Sequence, residues 1–167
     1  MNNEKTEVRE VSFNDALRLI LRNEGLEAER RGVEFTKERA GNAVKYFKEN
    51  KTFKYFMVND YALIAVCYRK EYNTNEISEI YVSEKHRRRN FASKLFETAL
   101  DKMKNKDWIV EVNASNTQAI RFYEKMGFKR YKTIENKQYD KPFSTILMLK
   151  TVNGSANFET AKNKKAS

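Results

Sequence analysis

The chain has 167 residues, 40% hydrophobic and 13% aromatic, which suits one globular domain and excludes a disordered chain. Its net charge of +10 and sequence pI near 9.6 favour anionic partners (phosphorylated cofactors, acidic proteins, nucleic acid) or reflect a lysine-rich solvated surface. The single cysteine, Cys67, excludes an intrachain disulfide, and five glycines with one proline argue against a loop-rich sandwich.

The first residues, Met1 to Glu7, are polar and do not read as a signal peptide. The longest apolar run, Tyr61 to Tyr68, is too short to span a bilayer. A cytoplasmic protein with no membrane partner is expected. Oligomeric state is not legible.

Val8 to Ser12 reads as a short first strand. Asn14 or Ser12 caps a helix through Arg22, with Ala16, Leu17, Ile20 and Leu21 on one face, and Gly25 is expected to break it. Glu27 to Gly32 reads as a charged connector. Thr36 opens a second helix in which Ala40, Ala43, Val44 and Phe47 fall at i, i+3, i+4 and i+7. The period then changes. Phe53 to Val58 and Tyr61 to Tyr68 read as hairpin strands buried on both faces, joined by Asn59-Asp60, which tolerates a tight turn. Arg69 to Asn75 is a polar loop and Ile77 to Val82 the next strand. Arg88 to Lys104 is a helix with Phe91, Ala92, Leu95, Phe96, Ala99, Leu100 and Met103 inward. Trp108 to Asn113 is a strand, Asn116 to Met126 a helix, and Phe128 to Ile134 and Phe143 to Lys150 the last strands. Residues 1–150 form the domain, and the polar Thr151 to Ser167 is expected to be a mobile basic tail. The order β-α-α-β-β-β-α-β-α-β-β implies an α/β fold, a mixed sheet of about seven strands with helices on both faces.

Two stretches carry chemistry. The first, Ile80-Tyr-Val-Ser-Glu-Lys-His-Arg-Arg-Arg-Asn-Phe-Ala92, ends a strand and opens the long helix. A helix start offers unpaired N–H groups and the positive end of the macrodipole, so it suits a phosphate, and Arg87, Arg88 and Arg89 add charge. The second runs from Val110 to Phe128. It places Glu111 near a strand end, Asn116 at a helix start and Tyr123 inside the helix, 123 − 111 = 12 residues after Glu111. On its strand Glu111 points away from Trp108, Val110 and Val112. Read alone, Glu111 is equally a solvent-facing strand residue or ion-pair partner, and Tyr123 a core residue.

Together, in this order, the stretches resemble the two cofactor motifs of the GNAT superfamily, the acyl-CoA-dependent N-acetyltransferases. The nearest likeness is to the ribosomal-protein and N-terminal acetyltransferases. The first motif, Gln/Arg-x-x-Gly-x-Gly/Ala, reads here Arg87-x-x-Asn90-x-Ala92. Asn90 replaces the usual glycine, and Asn tolerates the left-handed backbone best after Gly. The resemblance implies the GNAT fold and acetyl-CoA as co-substrate. The pyrophosphate would lie on Arg87, Arg88, Arg89, Asn90, Phe91 and Ala92. The pantetheine would meet the backbone of Ile80, Tyr81 and Val82 and the Asn116 and Tyr123 side chains. Glu111 would be the base and Tyr123 the acid. His86 reads as an exposed loop residue and Cys67 as a buried strand residue, and no metal-ligand spacing is present.

Three functions follow. The first is transfer of an acetyl group to a primary amine of a protein (lysine or N-terminus) or small molecule. The second is modification of nucleic acid, a base or an aminoacyl-tRNA, motivated by the charge and by the Arg87–Arg89 and Lys129-Arg-Tyr-Lys132 clusters. The third is a non-catalytic scaffold acting as a binding or inhibitor protein. The acceptor rim is expected at residues 22–39 and 134–143.

Overall fold

In a computed structural model, residues 6–138 and 141–158 are described. The elements are β1 (Val8–Val11), α1 (Phe13–Arg30), α2 (Lys37–Glu49), β2 (Lys54–Val58), β3 (Ala62–Arg69), β4 (Thr74–Val82), α3 (Phe91–Lys102), β5 (Trp108–Asn113), α4 (Thr117–Lys125), β6 (Lys129–Gln138) and β7 (Lys141–Lys150), with a 3-10 turn over Glu84–His86. The strands form one sheet in the order β1-β2-β3-β4-β5-β7-β6. Every neighbouring pair is antiparallel except β4 and β5. The expected element order and the mixed sheet are therefore both present.

Each sheet face carries its own core. On one face Phe56, Ile64, Val66, Ile77, Trp108 and Met148 pack against Phe91, Leu95, Phe96 and Ala99 of α3 and Ile120 and Tyr123 of α4. On the other, Tyr55, Met57, Leu63, Ala65 and Tyr81 pack against Ala16, Leu19 and Ile20 of α1 and Phe47 of α2. The central hairpin strands supply residues to both, so β3 is buried from Ala62 to Cys67. Asn59 takes φ 48° in the hairpin turn, as its side chain allows.

Helix α1 departs from the expected break. Ser12 caps it, accepting from the Asp15 N–H at 3.2 Å, but the helix runs through Gly25 to Arg30. The Phe35 ring lies 3.5 Å from where a β-carbon on Gly25 would sit, and Ala28 is buried beyond it. Tertiary packing here outweighs the roughly 1 kcal/mol that glycine costs within a helix. Thr36 caps α2 as expected, accepting from the Arg39 N–H at 3.3 Å.

Strand β4 starts earlier than its apolar run. Asn73 turns the chain at φ 51°, and Thr74, Asn75 and Glu76 pair with Arg69, Tyr68 and Cys67. Two of these polar residues find partners: Asn75 donates to the Met103 carbonyl at 2.8 Å, and Glu76 pairs with Arg69. Helix α3 starts later than expected, at Phe91, because Arg88 (φ 62°) and Asn90 (φ 61°) are left-handed.

Residues 151–158 are not a loose tail. The buried Asp107 carboxylate accepts from the backbone N–H groups of Val152, Asn153, Gly154 and Ala156 at 2.6–3.0 Å. The Phe158 ring then rests against Tyr131 and Tyr72. Residues 159–167, the rest of the expected tail, lie outside the described residues. No helix among the described residues is long and apolar enough to cross a membrane.

Candidate active site

The site begins where two strands part. The parallel ladder between β4 and β5 consists of Asn75↔Trp108, Glu76↔Ile109 and Ile77↔Val110. Strand β4 then continues to Val82 and β5 to Asn113. Ile80, Tyr81 and Val82 remain paired to β3 through Ile64, Leu63 and Ala62, while their other edge faces the gap. A cleft of about 420 Å³ fills that gap. It is lined by α1 from one face of the sheet and by the start of α3 and the length of α4 from the other.

A β-bulge shapes the gap's β4 wall. Ala65 faces Glu79 while Val66 faces Ile77, so Ser78 is the extra residue. The bulge resets the alternation of side chains. Ile77, Ile80 and Val82 contact the α3 face, and Tyr81 the α1 face. Glu79 is directed to α1, where Asn23 donates from its amide to the carboxyl Oε2. Glu79 is 7% exposed. Burial drives its carboxyl well above the ordinary carboxylate range. A hydrogen bond with the Glu24 side chain and the charges of Glu24 and Glu27 add to the rise, which Asn23 opposes.

The opposite wall carries Tyr123, 3% exposed on α4, its ring edge-on to Phe122 and Phe128. Burial raises its phenol far above the usual value, and the charges of Glu79 and Glu27 reinforce this across the gap. The group is therefore a neutral hydrogen-bond donor over the whole working range of pH. Asn116 caps α4, accepting from the Ala119 N–H at 3.2 Å, and lines the cleft.

The third wall is the loop from Ser83 to Asn90. The Tyr61 ring stacks on His86 with centroids 3.8 Å apart, and Ser83 Oγ lies 2.6 Å from His86 Nδ1. Arg87 donates from Nε to the Val82 carbonyl at 3.2 Å. His86 is half-buried and lines the cleft, so the sequence expectation of an exposed loop residue is corrected: its ring is held by Tyr61 and Ser83. Asn90 makes no side-chain cap to α3, and the first turn of α3 holds no acidic residue. The first N–H groups of the helix thus face the cleft beside Arg87 and Arg88, an arrangement that fits a diphosphate.

The cleft brings together Ile80, Tyr81, Val82, Arg87, Arg88, Asn90, Phe91, Ala92, Glu111, Asn116 and Tyr123. Arg89 is exposed and outside the lining. Glu111 lies at the cleft but is solvent-exposed, and its charge acts on Glu76 and Tyr72. The carboxylates that act on Tyr123 are instead Glu79 and Glu27. Sequence reading missed Asn23, Glu24, Glu27 and Glu79. A signal was present: apolar residues at 77, 80 and 82 break the two-residue alternation of a strand and mark a bulge. Cys67 is fully buried, and burial pushes its thiol up to about 12, so it is no nucleophile. No group of residues able to hold a metal ion occurs among the described residues.

On the acceptor side, the Arg31 guanidinium lies over the Phe143 ring, 4.6 Å from its centroid. This contact joins the two segments expected to form the rim. Residues 139 and 140, at the tip of the β6–β7 hairpin, lie outside the described residues.

Comparison with known proteins agrees with this construction. N-alpha-acetyltransferase 30 of Schizosaccharomyces pombe is 34% identical over 61 residues, which is 35% of this chain and 41% of the relative. The chain thus spans less than half the length of that curated relative. Arabidopsis thaliana NAA60 in complex with a bisubstrate analogue superposes at TM-score 0.66 with 17% identity, over 89% of this chain and 99% of that one. Arabidopsis Naa50 bound to the analogue CoA-Ac-MVNAL superposes at 0.63 with 21% identity, over 87% and 98%. A ribosomal-protein-alanine N-acetyltransferase from Brucella melitensis gives 0.64 with 14% identity, over 87% and 99%. At these identities the solved structures establish the fold. Residues 23–128, most of the chain and all of the cleft between β4 and α4, match the acetyltransferase (GNAT) family, and with the parted strands and the open start of α3 they establish that the chain belongs to that family.

Proposed function

We propose that the chain transfers an acetyl group from acetyl-CoA to a primary amine of a protein or peptide. The observation that carries this reading is one cleft that joins an uncapped helix start to a buried phenol through the gap between β4 and β5. Acetyl-CoA supplies an activated thioester. The α3 start with Arg87 and Arg88 would hold the diphosphate. The free edge of Ile80 to Val82 and the Asn116 side chain would hold the pantetheine amides. Tyr123 would donate to the departing sulfur, and Glu111, at the exposed end of the cleft, would receive a proton through water. The Asn90 backbone is already left-handed, so its replacement of glycine preserves the loop conformation. The protein acceptor is favoured over a small amine by the similar NAA60 and Naa50 structures, which hold bisubstrate analogues, one of them carrying the peptide MVNAL.

The test has two steps. Acetyl-CoA should raise the melting temperature, since a ligand of the native state stabilises it. The peptide Met-Val-Asn-Ala-Leu, the sequence in the Naa50 analogue, and a lysine peptide should then be acetylated, with free thiol released in equal amount. A protein that binds acetyl-CoA but acetylates neither would refute the amine reading. Binding to RNA that persists at ~0.2 M salt would support the nucleic-acid reading instead. No shift with any acyl-CoA would leave the scaffold reading.

A further inference from the structure

The segment after β7 ends at a fixed place. The Asp107 carboxylate gathers the N–H groups of Val152, Asn153, Gly154 and Ala156, and the Asp107 N–H donates to Ser155 Oγ at 2.8 Å. The Asn157 N–H donates to the Tyr72 carbonyl at 2.8 Å. The Phe158 ring lies 4.5 Å from the Tyr131 ring and 5.3 Å from that of Tyr72. The chain therefore leaves residue 158 beside Tyr131.

From there a short path leads to the cleft. Glu111, Leu147 and Lys132 form one row across β5, β7 and β6. Val110, Val112, Ile146 and Met148 belong to the core on the α3 face, so the alternating row faces the α1 side. On that side α1 and α2 cover β2, β3 and β4, whereas Glu111 and Lys132 are solvent-exposed. Tyr131, the extra residue of the bulge between Arg130 and Lys132, stands at the outer end of the row. Glu111, at the inner end, lines the cleft. Two strand spacings, about 10 Å, separate the ends. The mouth reached at Glu111 is acidic: Glu24 and Glu27 line it from α1, while Arg30 is engaged by Glu27 and Arg31 by the Phe143 ring.

The sequence after Phe158 is Glu-Thr-Ala-Lys-Asn-Lys-Lys, which brings Lys162, Lys164 and Lys165. Extended chain spans up to ~14 Å from Phe158 to Lys162 and ~25 Å to Lys165, more than the row requires. A tether this short holds its lysines near the mouth at an effective concentration on the order of millimolar. We propose that the chain acetylates its own lysines in cis, with residues 159–165 crossing from Tyr131 to Glu111 so that Lys162, Lys164 or Lys165 enters the acidic mouth. This rests on the acetyl-transfer reading above. The lysine ammonium first gives one proton to solvent through water at Glu111. The Nζ lone pair forms a bond to the thioester carbonyl carbon, and the carbon–sulfur bond breaks with its electrons on sulfur. The departing sulfur takes the Tyr123 phenol proton, and a proton from Nζ replaces it. The products are an ε-acetyl-lysine and the free thiol. The amide carries no charge, so it loses the attraction that drew the ammonium in.

The full chain is incubated with acetyl-CoA and no peptide, and acetyl groups are mapped by mass spectrometry against a heat-unfolded control. Label above that control should gather on Lys162, Lys164 or Lys165, with a first-order rate constant that does not change on dilution of the protein. Tyr131→Ala and Phe158→Ala, which loosen the anchor, should each slow self-labelling by at least ~5-fold and leave turnover of Met-Val-Asn-Ala-Leu within ~2-fold of wild type. A rate constant that falls with dilution, label spread evenly over all lysines, or no label in a protein that acetylates the peptide would overturn the proposal. If neither the peptide nor the chain is acetylated, the function reading fails separately. Placement of the segment is still tested by carbodiimide cross-linking, which needs no turnover. Links from Lys162, Lys164 or Lys165 to Glu24, Glu27 or Glu111 are expected, and their absence overturns the proposal.

Discussion

The imidazole of His86 lies flat against the ring of Tyr61, with an interplanar angle of 5°. Tyr61 is also tilted against Phe91, the first residue of α3, at 5.2 Å. One tyrosine from the β2–β3 hairpin therefore braces both ends of the segment that carries Arg87 to Asn90.

His86→Ala should consequently weaken acetyl-CoA without unfolding the protein. An aromatic stack contributes about 0.5–1.5 kcal/mol, and losing it frees the loop before binding. The expected result is a ~2–10-fold rise in the acetyl-CoA dissociation constant by calorimetry, with kcat at saturation nearly unchanged. His86→Phe, which keeps the stack, should bind within twofold of wild type. A fall in kcat alone would give His86 a chemical role instead.

Tyr123→Phe keeps the packing against Phe122 and Phe128 and removes only the hydroxyl. The turnover rate should drop by roughly 10²-fold, while the KM for acetyl-CoA moves little. The melting temperature should change by no more than a few degrees. Steady-state rates that match wild type would remove the phenol from the reaction.

Glu79 links stability to pH with a definite sign. Its carboxyl is raised in the folded state, so its favourable contribution is complete at low pH and is lost as pH climbs through the raised value. Glu79→Gln removes that loss while still accepting from Asn23. The variant should be the more stable protein above neutrality, by about 1 kcal/mol or ~2–4 °C, with the gap narrowing toward pH ~5. Melting curves at several pH values measure this directly. A variant less stable at every pH would mean that Glu79 is a structural residue.

Asp107 behaves in the opposite sense. Burial alone would raise its carboxyl, but the N–H groups of Ala156, Val152, Asn153 and Gly154 outweigh this and hold it below its usual value. Its contribution is therefore present at neutral pH and lost as pH falls through the lowered value. Asp107→Asn should cost about 1–3 kcal/mol at pH ~7, with a smaller difference in acid. Ending the chain at Lys150 should cost at least as much, because it strips all four donors from a buried charge. Chemical denaturation at two pH values checks both.

The element order and the two-face burial of the hairpin strands were readable because they rest on hydrophobic period and on helix caps. Ser12, Thr36 and Asn116 all cap as their sequences suggest. What sequence did not show depends on contacts distant along the chain. Gly25 reads as a helix stop until Phe35 covers it. Thr151 to Phe158 reads as a polar tail until Asp107 supplies an acceptor for its backbone. Glu79 was missed for a subtler reason. A period of two assigns alternate residues to alternate faces, and the bulge at Ser78 shifts that assignment by one. The carboxyl that meets α1 would, in a regular strand, share the face of Ile77.

Tyr123 belongs to the core on the α3 face, yet it lines the same cleft as Glu24 and Glu27 of α1 on the other side of the sheet. The opening is thus a passage with two mouths. A carrier entering by the arginine loop and a peptide entering beneath Arg31 and Phe143 would not compete for the same doorway. Neither need depart before the other arrives, so velocity plots at several fixed concentrations of one substrate should intersect and not run parallel. A single molecule tethering the two would occupy both mouths at once and gain affinity from the link.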